Sequence, residues 1–118
     1  MNKASIKFNK QLARDVRVKG MTELDGGYIG NFPNWKEIDE IVVPEGIELI
    51  DNYTFAWLEN LRQVTLAKSV TVILEWAFKY CNDLETVTFK GKTMAEIEAR
   101  PNYKYFSRYI DGKIRVQV

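Results

Sequence analysis

Residues Ile41–Phe89 read as one 23-residue unit written twice and begun a third time, and no other feature limits the possible folds so strongly. Laying Ile41–Gln63 over Val64–Thr86 gives ten positions that are apolar in both copies. They are Ile41/Val64, Val43/Leu66, Ile47/Val70, Leu49/Val72, Ile50/Ile73, Tyr53/Trp76, Phe55/Phe78, Trp57/Tyr80, Leu58/Cys81 and Leu61/Leu84. Val87 and Phe89 then reopen the pattern. Only Ile50/Ile73, Phe55/Phe78 and Leu61/Leu84 are identical, so chemistry repeats more than letters do. A fixed period in the twenties is the signature of a solenoid, whose units bury their apolar faces only by stacking.

Within one copy the hydrophobic period changes, and each change implies a local structure. Val64–Leu66 alternates in, out, in, which predicts a short strand. Val70–Ile73 is β-branched and apolar, predicting a second one. Phe78, Cys81 and Leu84 recur every three residues, as on one face of a short helix or 3₁₀ turn. Pro44-Glu45-Gly46 and Ala67-Lys68-Ser69 form the corners between strands. Phe32, Trp35, Ile38, Ile41 and Val43 carry the same spacing as a degenerate first copy. An end unit has a neighbour on one side only and is expected to be atypical.

The flanks break the period. Alternation at Ile6/Phe8 and at Val16/Val18 predicts one or two short strands within Met1–Gly20, capping the start of the stack. Asp25-Gly26-Gly27 and Gly30-Asn31 are turn formers, and Pro33 excludes a regular helix across Phe32–Asn34. Thr93 with Glu96 three residues on forms a capping-box pattern for a helix over Met94–Ala99, ended by Pro101-Asn102. Asp111-Gly112 between the alternating stretches Tyr109–Ile110 and Lys113–Val116 predicts a hairpin or an added strand. The chain is expected to form one domain: an N-terminal cap (1–31), repeats (32–92) and a C-terminal cap with a short helix and hairpin (93–118).

Composition narrows the chemistry. The 118 residues carry 17 basic and 16 acidic side chains, a net charge of +1, so no global field favours nucleic acid or an anionic membrane. No histidine is present, which removes the commonest general base and metal ligand. The single cysteine, Cys81, allows neither an intrachain disulfide nor a thiolate zinc site, and its repeat position beside Leu58 predicts a buried one. No cofactor or metal is expected. Met1–Arg17 is polar and basic without the apolar core of a signal peptide, and no run is long enough to span a bilayer. A cytoplasmic location is the resulting expectation.

The unit Val64-x-Leu66…Val70-x-x-Ile73…Ala77-Phe78-x-x-Cys81-x-x-Leu84-x-x-Val87 resembles the BspA-type leucine-rich repeat, with its "A-F-x-x-C" core. The first full copy matches at Pro44, Ile47, Ile50, Phe55, Leu58 and Leu61. The second departs at Ala67, where proline is usual, and at Leu74, where glycine is usual. The likeness covers Phe32 to Phe89, and the stretch from Gly91-Lys92-Thr93-Met94 to Asp111-Gly112-Lys113-Ile114 is similar to endings that follow such repeats in small bacterial and phage proteins. The resemblance implies a β-rich solenoid (α+β) used for protein–protein contact, often at bacterial surfaces, and carries no catalytic residues. Without a signal sequence, it points to a short intracellular member, of a bacterial host or phage-encoded.

Four groups of residues are candidate sites. Tyr53/Trp76 and Trp57/Tyr80 flank the core positions Phe55 and Phe78, so stacking should set each pair side by side as a ladder. Outward aromatics are what binding hot spots are made of, although the same rings can serve as packing beneath the caps. Glu40, Val42, Gln63, Thr65, Thr86 and Thr88 form the outer strand face, as a partner surface or a solvated one. Glu37, Asp39, Glu40 and Glu45 match no calcium loop and read as solvated charge, against an acid–base pair or cation site. Lys3, Lys7, Lys10, Arg14, Arg17 and Lys19 form the one basic run, a phosphate-binding patch or a solubilising end.

Together these readings favour a non-enzymatic protein–protein interaction module that binds through Tyr53, Trp57, Trp76 and Tyr80. The alternatives are a phage-encoded inhibitor of a host defence or regulatory protein, and a self-associating assembly piece joined through strand edges.

Overall fold

A computed structural model describes residues 1–118. The repeat becomes two narrow parallel sheets. One is built from β1 (Glu23–Leu24), β3 (Leu49–Ile50) and β5 (Val72–Ile73) in that order. The other is built from β2 (Glu40–Val43), β4 (Gln63–Leu66), β6 (Thr86–Lys90) and β7 (Ile114–Gln117). Pairing follows the sequence period: Ile41 lies beside Val64 and Val64 beside Val87, while Ile50 lies beside Ile73. Inward residues of the longer strands are buried and alternate with half-buried or exposed ones, so period-two patterning survives on each rung.

The stretches after β3 and β5 form successive tight turns rather than helix. Thr54, Ala56, Leu58 and Leu61 each donate a backbone N–H to the carbonyl three residues back, and Ala77, Lys79 and Leu84 do the same one rung later. Three-residue spacing therefore puts Phe55, Leu58 and Leu61 on one buried face, with Phe78, Cys81 and Leu84 beneath. Phe55 stacks on Phe78 at 5.2 Å between ring centroids.

The strands expected in Met1–Gly20 are instead one helix, α1 (Lys3–Lys19). The Asn2 side chain accepts the Ser5 N–H at its start, and Gly20, at φ 67°, closes it by donating to the Val16 carbonyl. Ser5, Phe8, Leu12 and Val16 share its buried face, whereas Ile6 and Val18 point to solvent. Three- and four-residue spacing outweighs the two short alternating stretches, because only the helix buries Phe8 and Leu12 together.

Helix α1 closes the open edge of β2. Asn9 donates its amide N–H to the Glu40 carbonyl at 3.0 Å and accepts the Val42 N–H at 2.9 Å, as a neighbouring strand would. Ser5 Oγ accepts the N–H groups of Asp39 and Glu40. At the other end α3 (Met94–Glu98) starts with the expected Thr93/Glu96 capping box. Arg100 and Asn102, either side of Pro101, donate to the Val70 carbonyl just before β5 and to the Ile73 carbonyl within it. A further short helix, α4 (Tyr103–Phe106), follows.

The Asp111-Gly112 hairpin does not form. Tyr109 lies in a 3₁₀ turn, and β7 joins β6 in parallel, Val87 beside Ile114 and Phe89 beside Val116. Parallel addition sets Ile114 against the core and continues the sheet, which an antiparallel return would not do.

The first copy departs most from its successors. Leu24 pairs with Ile50, a register three residues longer than that of the later rungs. The extra residues are absorbed by α2 (Gly26–Gly30), whose start is capped by Asp25 accepting the Tyr28 N–H. Ile29, not Phe32, consequently takes the fully buried place that Phe55 and Phe78 occupy later; Phe32 and Trp35 are half-buried against the core.

Candidate protein-interaction face

The turns after β3 and β5 position four aromatic side chains on one surface. Tyr53 lies 5.6 Å from Trp57 within its own rung and 5.5 Å from Trp76 on the next. Trp57 stacks on Tyr80 at 5.3 Å. Lys79 closes the fourth side, its Nζ 5.5 Å from the Trp76 ring and 5.1 Å from the Tyr80 ring. All four residues singled out in the sequence thus meet in one two-by-two array. Trp57 is 55% exposed and Tyr80 47% exposed, while Tyr53 and Trp76 are half-buried.

Backbone geometry under this array is unusual. Tyr53, Trp57 and Tyr80 have φ of 60°, 64° and 64°, in the left-handed region that bulky side chains rarely adopt. Asn34, which stands one period before Trp57, has φ 63°, with a residue type that tolerates it. The turn therefore demands this backbone on three rungs, and two of them present an aromatic ring from it. Such conformations cost on the order of 1–3 kcal/mol each and cluster at functional sites.

Beside the array, toward the N-terminus, lies a groove of about 260 Å³. Trp35, Tyr53 and Trp57 wall it, with Gly26, Ile29 and Gly30 at its floor. Sequence reading missed this groove because Trp35 falls on a repeat position assigned to the core; its usable trace is Gly30 one period before Tyr53 and Asn34 one period before Trp57.

The family model described as "BspA type Leucine rich repeat region (6 copies)" matches residues 29–107. The chain belongs to the BspA-type leucine-rich repeat family. Neither a curated protein nor a solved structure matches it. Leucine-rich repeat domains have a solenoid-like repeat fold, generally mediate protein–protein interaction and are typically non-enzymatic. No helix of this leucine-rich repeat protein is long and apolar enough to cross a membrane.

The acidic candidates Asp39 and Glu45 have structural employment. Asp39 is half-buried, which works against its charge, but the Ser5 hydroxyl and the Asn2 N–H more than offset this and lower its pKa. Glu45 accepts the Lys68 N–H across a corner, and Glu37 offers its backbone carbonyl to Asn2. Lys3, Lys7, Lys10, Arg14, Arg17 and Lys19 occupy the solvent side of α1. The Asn9 side chain of α1 bonds backbone groups at the edge of β2, and on the outer strand face Thr65 stands beside Thr88. Cys81 is buried, its Sγ 2.8 Å from the Phe55 carbonyl, and burial pushes its thiol pKa up to about 12.

Proposed function

We propose that this chain is a short capped solenoid, with 23-residue repeats between an N-terminal and a C-terminal cap, that binds a protein partner through Tyr53, Trp57, Trp76 and Tyr80. The observation that carries the reading is the left-handed backbone beneath Tyr53, Trp57 and Tyr80. A rung needing only a tight turn is better served by asparagine or glycine, as Asn34 illustrates. Aromatic rings held at that position instead, stacked and half-exposed, form a rigid apolar surface of the kind that dominates interface energies.

Capture of partners from lysate with wild type and with a Trp57→Ala/Trp76→Ala double variant tests this face. Loss of a specific partner by a variant that still melts cooperatively is expected. Equal recovery by both proteins would remove the ladder from the interface.

A second reading, self-association through a strand edge, is favoured by β7. The edges of β2 and β5 are covered by side chains, whereas β7 is the outermost strand and Arg115, Val116 and Gln117 are exposed. Its one visible guard is the Arg115 guanidinium on the Gly112 and Ile114 carbonyls. Light scattering over a concentration series decides it: strictly monomeric mass would end this reading.

A further inference from the structure

The groove lies against the end of the ladder formed by Tyr53 and Trp57. Counting three residues past the paired positions Leu24, Ile50 and Ile73 reaches Gly27, Tyr53 and Trp76. Counting back four residues from the buried Ile38, Leu61 and Leu84 reaches Asn34, Trp57 and Tyr80. Both aromatic columns therefore end at Tyr53 and Trp57, with glycine and asparagine where the next rings would stand. Within the array each ring has a neighbour 5.3–5.6 Å away, but the N-terminal faces of Tyr53 and Trp57 look into the groove.

Sterics explain one glycine of the groove and not the other. A Cβ on Gly26 would come within 3.1 Å of the Tyr53 carbonyl oxygen, so packing favours glycine there. A Cβ on Gly30 would meet nothing within 4 Å, and its backbone is not left-handed. Neither packing nor backbone geometry therefore demands glycine at 30.

We infer that the groove receives one aromatic side chain of the protein partner, which stacks on Tyr53 and Trp57 against Trp35. This rests on the proposed interaction function and specifies its anchor. Size and chemistry select the occupant. The volume of about 260 Å³ falls below the roughly 300–1,000 Å³ of small-molecule sites and suits a single side chain. No carboxylate, amide or basic side chain lines it, and the Thr54 hydroxyl is already donated to the Leu24 and Asp51 carbonyls. A sugar ring or a phosphate-bearing base would find too few polar partners, whereas an aromatic ring brings at most one polar atom, at its rim.

The test titrates ¹⁵N-labelled protein with N-acetyltryptophanamide, N-acetylleucinamide and methyl glucoside at millimolar concentrations. The tryptophan amide should shift the Gly26, Gly30 and Ala56 amides and the Trp35 and Trp57 indole N–H signals saturably, leaving Trp76 nearly still. The leucine amide should bind about threefold or more weakly, as ring–ring contact is lost, and the glucoside should not register. Gly30→Trp, which puts a bulky side chain on a residue lining the groove, should abolish the shifts while retaining the wild-type melting temperature; if it misfolds, Trp35→Ala gives the same readout. Equal response to the leucine amide, no response to the tryptophan amide, or shifts that persist in the folded variant would overturn the inference. A partner lost by Trp57→Ala/Trp76→Ala but captured normally by Gly30→Trp would retain the interaction face and reject the groove as its anchor.

Discussion

Trp57 and Tyr80, one period apart, share a left-handed backbone of φ 64° and stack at 5.3 Å. Two costs and one gain meet in this pair. Each residue bears a strained backbone and an exposed ring, and the stack of about 0.5–1.5 kcal/mol returns only part of that.

Trp57→Asn should therefore leave stability within about 1 kcal/mol of wild type, since relief of backbone strain and loss of stacking oppose each other. Trp57→Val, which loses the stack and keeps a branched side chain at positive φ, should be clearly less stable. Urea denaturation of both variants checks the order; equal midpoints would show that strain is negligible there.

Asn9→Ala should destabilise by about 1–3 kcal/mol, because it strips partners from the Glu40 carbonyl and the Val42 N–H at once. Hydrogen exchange should quicken first at Val42. Unchanged protection would mean water replaces the side chain without loss.

Tyr28 and Asp15 make stability depend on pH at both ends. The Tyr28 hydroxyl donates to Asp15 Oδ2 at 2.6 Å, and this bond is the main cause of a lowered Asp15 pKa. The Asp15 contribution is therefore present above the ordinary carboxylate value, near pH 4, and is lost as pH falls through the lower folded one. Burial, aided by Asp15, raises the Tyr28 pKa, so its contribution is present below about pH 10 and is lost above that. Tyr28→Phe should flatten both limbs in thermal melts across pH.

Cys81 should resist thiol reagents at pH 8, where a thiol with a pKa of about 12 is almost wholly protonated as well as buried. Labelling should appear only with denaturant, tracking the unfolding curve. Fast modification of the native protein would place Cys81 in a locally opening segment.

The Thr93/Glu96 helix start was legible because capping is local, a matter of four consecutive residues. Of the two outcomes the Asp111-Gly112 pattern allowed, the added strand forms and the hairpin does not, because Ile114–Gln117 extends the neighbouring sheet while Tyr109 lies in a 3₁₀ turn. Alternation at Ile6/Phe8 and Val16/Val18 suggested strands, although Asn2, Phe8, Leu12, Val16 and Gly20 already spell a capped amphipathic helix.

What the sequence determined alone is the rung: which residues turn inward, how many separate one rung from the next, and that Tyr53/Trp76 and Trp57/Tyr80 lie side by side. Identical burial on each rung repeats the same apolar positions, so the period is written in the chain. Tertiary structure decided everything without a repeat partner. It set α1 against the β2 edge, slipped the first register by three residues through α2, and turned the backbone left-handed beneath Tyr53, Trp57 and Tyr80. The groove belongs to that second class, because a cleft between Trp35 and the ladder exists only once those rungs are packed.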